Sequence, residues 1–333
     1  MTWLVAGAAR ATIGTRSNQE DAFEIWPSEA QAATSRGDGL LAVVADGMGG
    51  HAGGEIAGDL ASRTFVSTFT ASDGALSERL QRGLESGNEA IASHVQANGK
   101  LRGMGCTLIG AWIDRAGLSW VSVGDSLLLL FRAPEVIRLN ADHSLGAYLD
   151  DQVRRNQLSA ADAQSNPYRN ALRSALTGKA LELVDLQGEP YKLAAGDWII
   201  LASDGIATLD GDEIGDIVYA NRDESPEVMA ARLIAAVDDK QEPDQDNTTV
   251  IVVRIDEDPD AAVAEDQPTR VLRAEPVAPE PAPEPEDNGV ATTQRIVQPP
   301  VAYSVYRRNR GLIVALGMGL MFLIGWGVRA LLG

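Results

Sequence analysis

The 333-residue chain carries 28 Lys and Arg against 47 Asp and Glu, a formal charge of −19. Its 45% hydrophobic content excludes a wholly disordered chain, and the acidic surplus excludes broad contact with a nucleic-acid backbone, which needs clustered Lys and Arg. One cysteine, Cys106, excludes an internal disulfide framework and a thiolate-rich zinc site; with His51, His94 and His143 the only histidines, oxygen-rich metal chemistry is what stays open.

Read in chain order, MTWLVAGAAR has neither a basic leader nor an apolar run long enough for a signal peptide. Residues 1–256 read as one domain. Buried strands are predicted at 40–45 (LLAVVA), 118–123 (LSWVSV), 198–202 (WIILA) and 248–255 (TTVIVVRI), from β-branched content and flanking glycines. A further strand at 107–113, a turn at 114–117 and the second run make a hairpin. Apolar residues spaced by three and four predict helices at 55–69, 76–97 and 227–237. The polar stretch 142–173 shows short helical patches and little strand. Strands fall in neighbouring pairs, and helices in pairs beside them. That order favours antiparallel sheets layered with helices over a doubly wound parallel sheet.

Residues 257–310 are expected to form an extended, disordered tether. Between Glu257 and Pro300 lie ten acidic residues, three basic ones and nine of the chain's fifteen prolines, too little apolar surface to fold and too few backbone donors. Then come Gly311 to Val328 (GLIVALGMGLMFLIGWGV), eighteen residues without a charge. At 1.5 Å per residue they reach roughly 27 Å, close to a hydrocarbon core, so residues 311–329 are expected to form a transmembrane helix. Arg307, Arg308 and Arg310 precede it and only Arg329 follows, which keeps the long N-terminal part cytoplasmic. Gly311, Ala315 and Gly319 would let a second helix approach one face.

The chemistry sits at strand ends. Asp46 follows LLAVVA and precedes Gly47; Asp125 follows WVSV and Gly124; Asp204 follows WIILA and Ser203; Asp246 precedes Asn247 and TTVIVV. Glu20 and Asp21 lie just after Arg16 in TRSNQEDAF. Each aspartate alone is ordinary turn chemistry. Their recurrence at rigid strand ends raises a second reading, because carboxylates so crowded are tolerable only around cations, and hard divalent ions take oxygen ligands. From pattern alone both readings stand.

The series TRSNQEDAF, VVADGMGGHAGG, GCTLIGAW, WVSVGDS, NADHS, GDWIILASDG and DNTTVIVV, in this order over residues 7–255, resembles the metal-dependent Ser/Thr protein phosphatases (PPM, or type 2C) in their bacterial form. The resemblance implies an α+β fold, a four-layer αββα sandwich of two antiparallel sheets flanked by helices, with a metal cleft at one rim. It implies hydrolysis of phosphoserine and phosphothreonine in proteins by a metal-bridged hydroxide, with two Mn²⁺ or Mg²⁺ ions and a weaker third. By motif, Asp46 would bridge both metals and the Gly47 carbonyl would bind one, while Asp204 and Asp246 would hold the other. Glu20 and Asp21 would bind metal-coordinated waters, Asp125 would help hold the third metal, and Arg16 would take the substrate phosphate.

The sequence also departs from the family pattern. Where eukaryotic relatives place a His after Asp-Gly stands Met48, with His51 three residues on, expected to serve as a loop hydrogen-bonder. Leu127 stands where the Arg after VGDS usually does. His143 is expected to stabilise a turn, His94 to lie at the surface and Cys106 to be a small core residue. The expected protein is a membrane-tethered phosphoprotein phosphatase that opposes Ser/Thr kinases on the same membrane. One alternative is a pseudophosphatase scaffold, which the complete metal set argues against. Another is a phosphatase narrowed to anti-sigma-factor antagonists, which the lack of a visible sensor domain weakens.

Overall fold

A computed structural model describes residues 3–27, 39–49, 53–257 and 301–302. The predicted transmembrane helix and the tether, apart from Glu257, Val301 and Ala302, lie outside the described residues, as does His51. Among the described residues no helix is long and apolar enough to cross a membrane.

Two antiparallel sheets carry the fold. The first has five strands in the order β10 (Asp185–Tyr191), β7 (Gly117–Val123), β6 (Leu108–Asp114), β3 (Leu40–Ala45) and β2 (Ala22–Trp26). The second has six: β1 (Trp3–Thr12), β12 (Thr248–Glu257), β11 (Trp198–Ala202), β8 (Leu127–Arg132), β9 (Glu135–Arg138) and β13 (Val301–Ala302). A small ribbon joins β4 (Gly47–Met48) to β5 (Gly105–Cys106).

Side-chain alternation explains why the strand runs are apolar throughout. Along β3, Leu40, Ala42 and Val44 enter the core between the sheets, while Leu41, Val43 and Ala45 face α1 (Gly53–Ala71) and α2 (Leu76–Ala97). Along β8, Leu128 and Leu130 enter the shared core, while Leu127, Leu129 and Phe131 face α5 (Gly211–Ala220) and α6 (Pro226–Asp239). With both faces of both sheets covered at their centres, an inner strand such as β3 or β8 has no solvent side on which to place polar residues, whereas the edge strands β2 and β10 carry exposed positions. Three stacked cores give four layers, as expected.

The predicted strands and hairpin are present, the hairpin in continuous register from Leu108↔Val123 to Asp114↔Gly117. The three predicted helices are present, 76–97 with the expected bounds and the other two slightly longer, and the polar stretch holds α3 (Leu145–Arg154) and α4 (Ala160–Ser165). β1, β2, β4, β5, β8, β9, β10, β13 and α5 are not among the elements expected from the sequence. β1 (WLVAGAARAT) is rich in small residues and gains its strand character by pairing with β12 over its whole length. Near the far end of the sandwich Asp197, buried, accepts from both Nε and Nη2 of Arg132 at 2.9 and 2.6 Å and from the amide of Ala194 at 2.7 Å.

Candidate active site

Register brings the strand-end acids to one rim. Ala22 opposite Ala45 sets Asp21, just before β2, beside Asp46, just after β3. Leu108 opposite Val123 turns the end of β7, and hence Asp125, to the same side. In the other sheet, Ala202 opposite Val250 sets Asp204, just after β11, near Asp246, just before β12. The cluster therefore straddles the two sheets, with Asp21, Asp46 and Asp125 from one and Asp204 and Asp246 from the other.

Hydrogen bonds fix the backbone around Asp46 and the loop that carries Glu20 and Asp21. The amide of Asp46 donates to Thr107 Oγ1 at 3.0 Å and its carbonyl accepts from the amide of Thr107 at 2.9 Å; Thr107 Oγ1 also meets Ser126 Oγ at 2.7 Å. Asn247 ties the N-terminal loop down: its Oδ1 accepts from the amide of Glu20 at 2.7 Å, and its Nδ2 donates to the carbonyls of Ile13 and Asn18 at 2.9 and 3.0 Å. The amide of Gly47 donates to the carbonyl of Glu20 at 3.2 Å. Ser203 Oγ donates to Asp21 Oδ2 at 2.7 Å while accepting from the amide of Thr249 at 2.9 Å.

The five aspartates are half-buried and act on one another. Burial and then the charges of Asp21, Asp204, Asp125 and Asp246 push Asp46 well above the ordinary carboxylate range. Burial pushes Asp21 up to about 6, against the opposing Ser203 hydrogen bond, and pushes Asp125 up to about 7, with Asp204 and Asp142 adding to it. Asp204 rises through burial and Asp246, while a hydrogen bond with Asp46 opposes the shift. Glu20 rises for the same leading reason, with Asp246 next and Arg16 opposing.

This donor set suits hard divalent cations: every side-chain donor is oxygen, and the mutual repulsion is what a cation would relieve. Among the described residues, no three His, Cys, Asp or Glu side chains already close around one point. The carboxylates are gathered and partly engaged with other partners: Asp21 accepts from Ser203, and Asp246 accepts from Arg16 Nη2 at 2.6 Å. Arg16, the expected phosphate ligand, is thus turned onto Asp246, in a pair about half exposed on both sides.

Residues 10–242 match the sequence profile of the family described as protein phosphatase 2C. The chain belongs to the protein phosphatase 2C family. It is 32% identical over 259 residues to the serine/threonine protein phosphatase PstP of Mycobacterium tuberculosis, covering 77% of this chain and 46% of that protein. The chain therefore spans about half the length of that relative. It is 30% identical over 193 residues to the protein phosphatase PhpP of Streptococcus pneumoniae, 56% of this chain and 76% of that one. Among solved structures, the PstP/Ppp phosphatase of M. tuberculosis superposes with a TM-score of 0.63 at 28% identity, covering 77% of this chain and all of that one. A second structure, the PstP catalytic domain in complex with two manganese ions, superposes with a TM-score of 0.61 at 27% identity over the same share.

Around this phosphatase 2C site lie supports that local sequence did not announce. Leu127 lies in the core against α5 and α6, and a guanidinium reaches the Asp125 turn from β9 instead. Arg138 Nη2 donates to the carbonyls of Asp125 and Ser126 at 2.8 and 3.2 Å, and its Nη1 pairs with Asp142 at 2.9 Å. His143, expected from the sequence to stabilise a turn, does so here, its Nδ1 accepting from the amide of Gly124 at 3.2 Å and its amide donating to the Gly124 carbonyl at 3.0 Å. His94 is exposed on α2, and Cys106 is fully buried with Sγ near the carbonyl of Ala57. Beside the acids opens a cavity of about 540 Å³, floored by Asp46, Asp125 and Asp204 and walled by residues of 170–182.

Proposed function

We propose that the protein is a metal-dependent phosphatase acting on phosphoserine and phosphothreonine in proteins. The observation that carries this reading is the convergence of five mutually repelling aspartates from both sheets at one rim. By likeness to the PstP domain with its two manganese ions, Asp46, the Gly47 carbonyl, Asp204 and Asp246 would hold two divalent cations. Glu20 and Asp21 would act through coordinated water, and Asp125 would contribute to a third. Such ions acidify coordinated water and draw charge from phosphoryl oxygens.

The chain's own residues supply position and electrostatics. Arg16, released from Asp246, offers a planar fork to two phosphoryl oxygens and stabilises the charge that builds there. Thr107 and Asn247 hold Asp46 and Glu20 where the phosphoryl group must sit. The phosphorus–oxygen bond to the Ser or Thr side chain breaks, water oxygen takes its place on phosphorus, and the departing oxygen leaves as the alcohol.

The reading extends to location. The uncharged run 311–328 would hold the catalytic domain at the cytoplasmic face of a membrane. There the protein would oppose Ser/Thr kinases confined to the same plane, on a tether with a reach of about 40 Å. Deleting residues 305–333 should move the protein to the soluble fraction and raise phosphorylation of its substrates in cells; unchanged phosphorylation would sink the kinase-opposing role.

The primary test is phosphate release from a phosphothreonine peptide by the full chain, with Mn²⁺ titrated against EDTA, beside Asp204→Asn. Release should require the metal and fall at least about a hundredfold in the variant. A folded protein that releases nothing at any metal concentration would instead be a binding module.

A further inference from the structure

The cavity beside the acids has two chemically distinct sides. Its floor is Asp46, Asp125 and Asp204; its wall includes Arg173 and Lys179. Arg16 and Asp246 are not part of its lining. The cations on this wall are therefore separate from the guanidinium expected to take the reacting phosphate. At about 540 Å³ the space falls in the range that holds whole small ligands, well beyond one phosphorylated side chain.

The wall is built on fixed backbone. The side chain of Asn88 on α2 clamps the turn 177–179, accepting from the amides of Thr177 and Gly178 at 3.1 and 2.8 Å and donating to the carbonyl of Lys179 at 2.7 Å. Gly178 has φ +75 and lies so close to Ala92 that a side chain there would clash. Arg173 donates its amide to the carbonyl of His143 at 2.8 Å, and the next residue, Ser174, exchanges two hydrogen bonds with Leu183. Cys106 and Leu176 pair as an isolated antiparallel bridge that joins this wall to β5 of the small ribbon.

Neither cation has an ion-pair partner among the described residues. The guanidinium of Arg173 stacks on the ring of Tyr148, 4.5 Å from its centre, and Lys179 is exposed. In a chain with a net charge of −19, two basic side chains left without carboxylates on one wall of one cavity are an electrostatic feature that asks for an anion. Glu182 on the same wall disfavours a uniformly acidic occupant and narrows the anion to a position near Arg173 and Lys179.

We infer that Arg173 and Lys179 form a cradle for a second anionic group, phosphoryl or carboxylate, on the peptide whose phosphorylated residue enters the aspartate cluster. The inference rests on the phosphatase reading and names its substrate class: peptides with clustered phosphorylation or an acidic residue close to the reacting one. The two cations act on KM, since the second anion is bound alike before and during bond breaking.

The test uses the full chain and hydrolysis-resistant phosphonate analogues of a phosphothreonine peptide. These differ only in carrying alanine, aspartate or a second phosphonate at each position flanking the reacting residue. Fluorescence anisotropy reads binding, and the matching phosphothreonine peptides read kcat and KM with Mn²⁺. An anion at one flank should tighten binding about fivefold and lower KM in step. That preference should vanish in Lys179→Ala and in Arg173→Ala, reverse in Lys179→Glu, and fade as salt rises from 0.05 to 0.5 M, concentrations chosen to shorten the Debye length severalfold. Thermal midpoints within about 2 °C of the unsubstituted protein certify that the variants fold. A gain with phosphonate alone assigns the cradle to clustered phosphorylation, and a gain with both anions assigns it to acidic flanks generally. Equal binding of neutral and anionic peptides, or a preference that survives both alanine substitutions, overturns the inference. If turnover is absent while the anion preference in binding persists, the phosphatase reading fails and the cradle stands.

Discussion

A methyl group on Gly47 would collide with the carbonyl oxygens of Gly54 and Glu20. Both obstacles are backbone, one at the start of α1 and one in the loop before β2, so neither can swing aside. Gly47→Ala must therefore displace β4 and with it the neighbouring Asp46. Overpacking of this kind costs about 1–3 kcal/mol. The expected result is a fall of that size in urea-unfolding free energy and about a hundredfold loss of phosphopeptide hydrolysis; turnover within twofold of the unsubstituted chain would show that Asp46 is not held this way. His143 offers a second test at the same scale. Burial lowers its pKa below 6.5, with Asp185 and Asp142 opposing the shift. The folded chain then binds fewer protons there than the unfolded chain once pH falls below 6.5. Its contribution is present above that value and is lost as the solution is acidified. His143→Asn keeps an acceptor for the Gly124 amide and removes the titration. The difference in urea midpoint between the two proteins should accordingly shrink between pH 7.5 and pH 5; a constant difference would refute the assignment.

At the scale of elements, one side chain joins three. Asn247, at the entrance to β12, bonds the amide of Glu20 and the carbonyls of Ile13 and Asn18, so the loop between β1 and β2 is seated on a residue more than 220 positions away in sequence. In Asn247→Ala those partners lose buried bonds, at a cost of about 1–3 kcal/mol. Amide hydrogen exchange of residues 13–21 should quicken about tenfold while exchange in β6 and β7 stays as it was. If exchange in that loop does not change, the loop has another anchor. Asn247 also marks the limit of what the sequence discloses. The DN pair and the aspartates after LLAVVA, WVSV and WIILA are local signals, legible because a β-branched run ends abruptly at an acid. The Arg138 contact with the Asp125 turn and the cationic wall at Arg173 and Lys179 are not legible, since they depend on which strands and loops become neighbours. β1 was illegible for a related reason. Its alanines and glycine carry no strand preference until β12 supplies ten paired positions, from Trp3↔Glu257 to Thr12↔Thr248.

At the scale of the whole molecule, the aspartate cluster is a charge problem placed across the seam between the two sheets. Asp125, near 7, and Asp21, near 6, both stand above their ordinary values. A carboxyl raised on folding binds more protons in the folded than in the unfolded state. It therefore destabilises the fold at alkaline pH, and that penalty begins to ease as pH falls through its folded value and is gone below its unfolded one. Divalent cations would remove the same penalty and would link Asp21, Asp46 and Asp125 of one sheet to Asp204 and Asp246 of the other. Protons and cations then compete, so Mn²⁺ should raise the thermal midpoint by about 5–10 °C at pH 8 and by clearly less at pH 6. Cys106 provides an internal reporter of the same event. It is the only cysteine in the chain, it is fully buried beside α1, and burial with the nearby Asp46 charge pushes its thiol up, so it is inert until α1 lifts from the sheet. Its alkylation rate should fall with Mn²⁺ at pH 8 in proportion to the added stability, and that protection should be lost in Asp204→Asn. A rate that ignores the metal would mean that the ions bind one sheet alone, and the two halves of the sandwich would then be joined only by the apolar core between them.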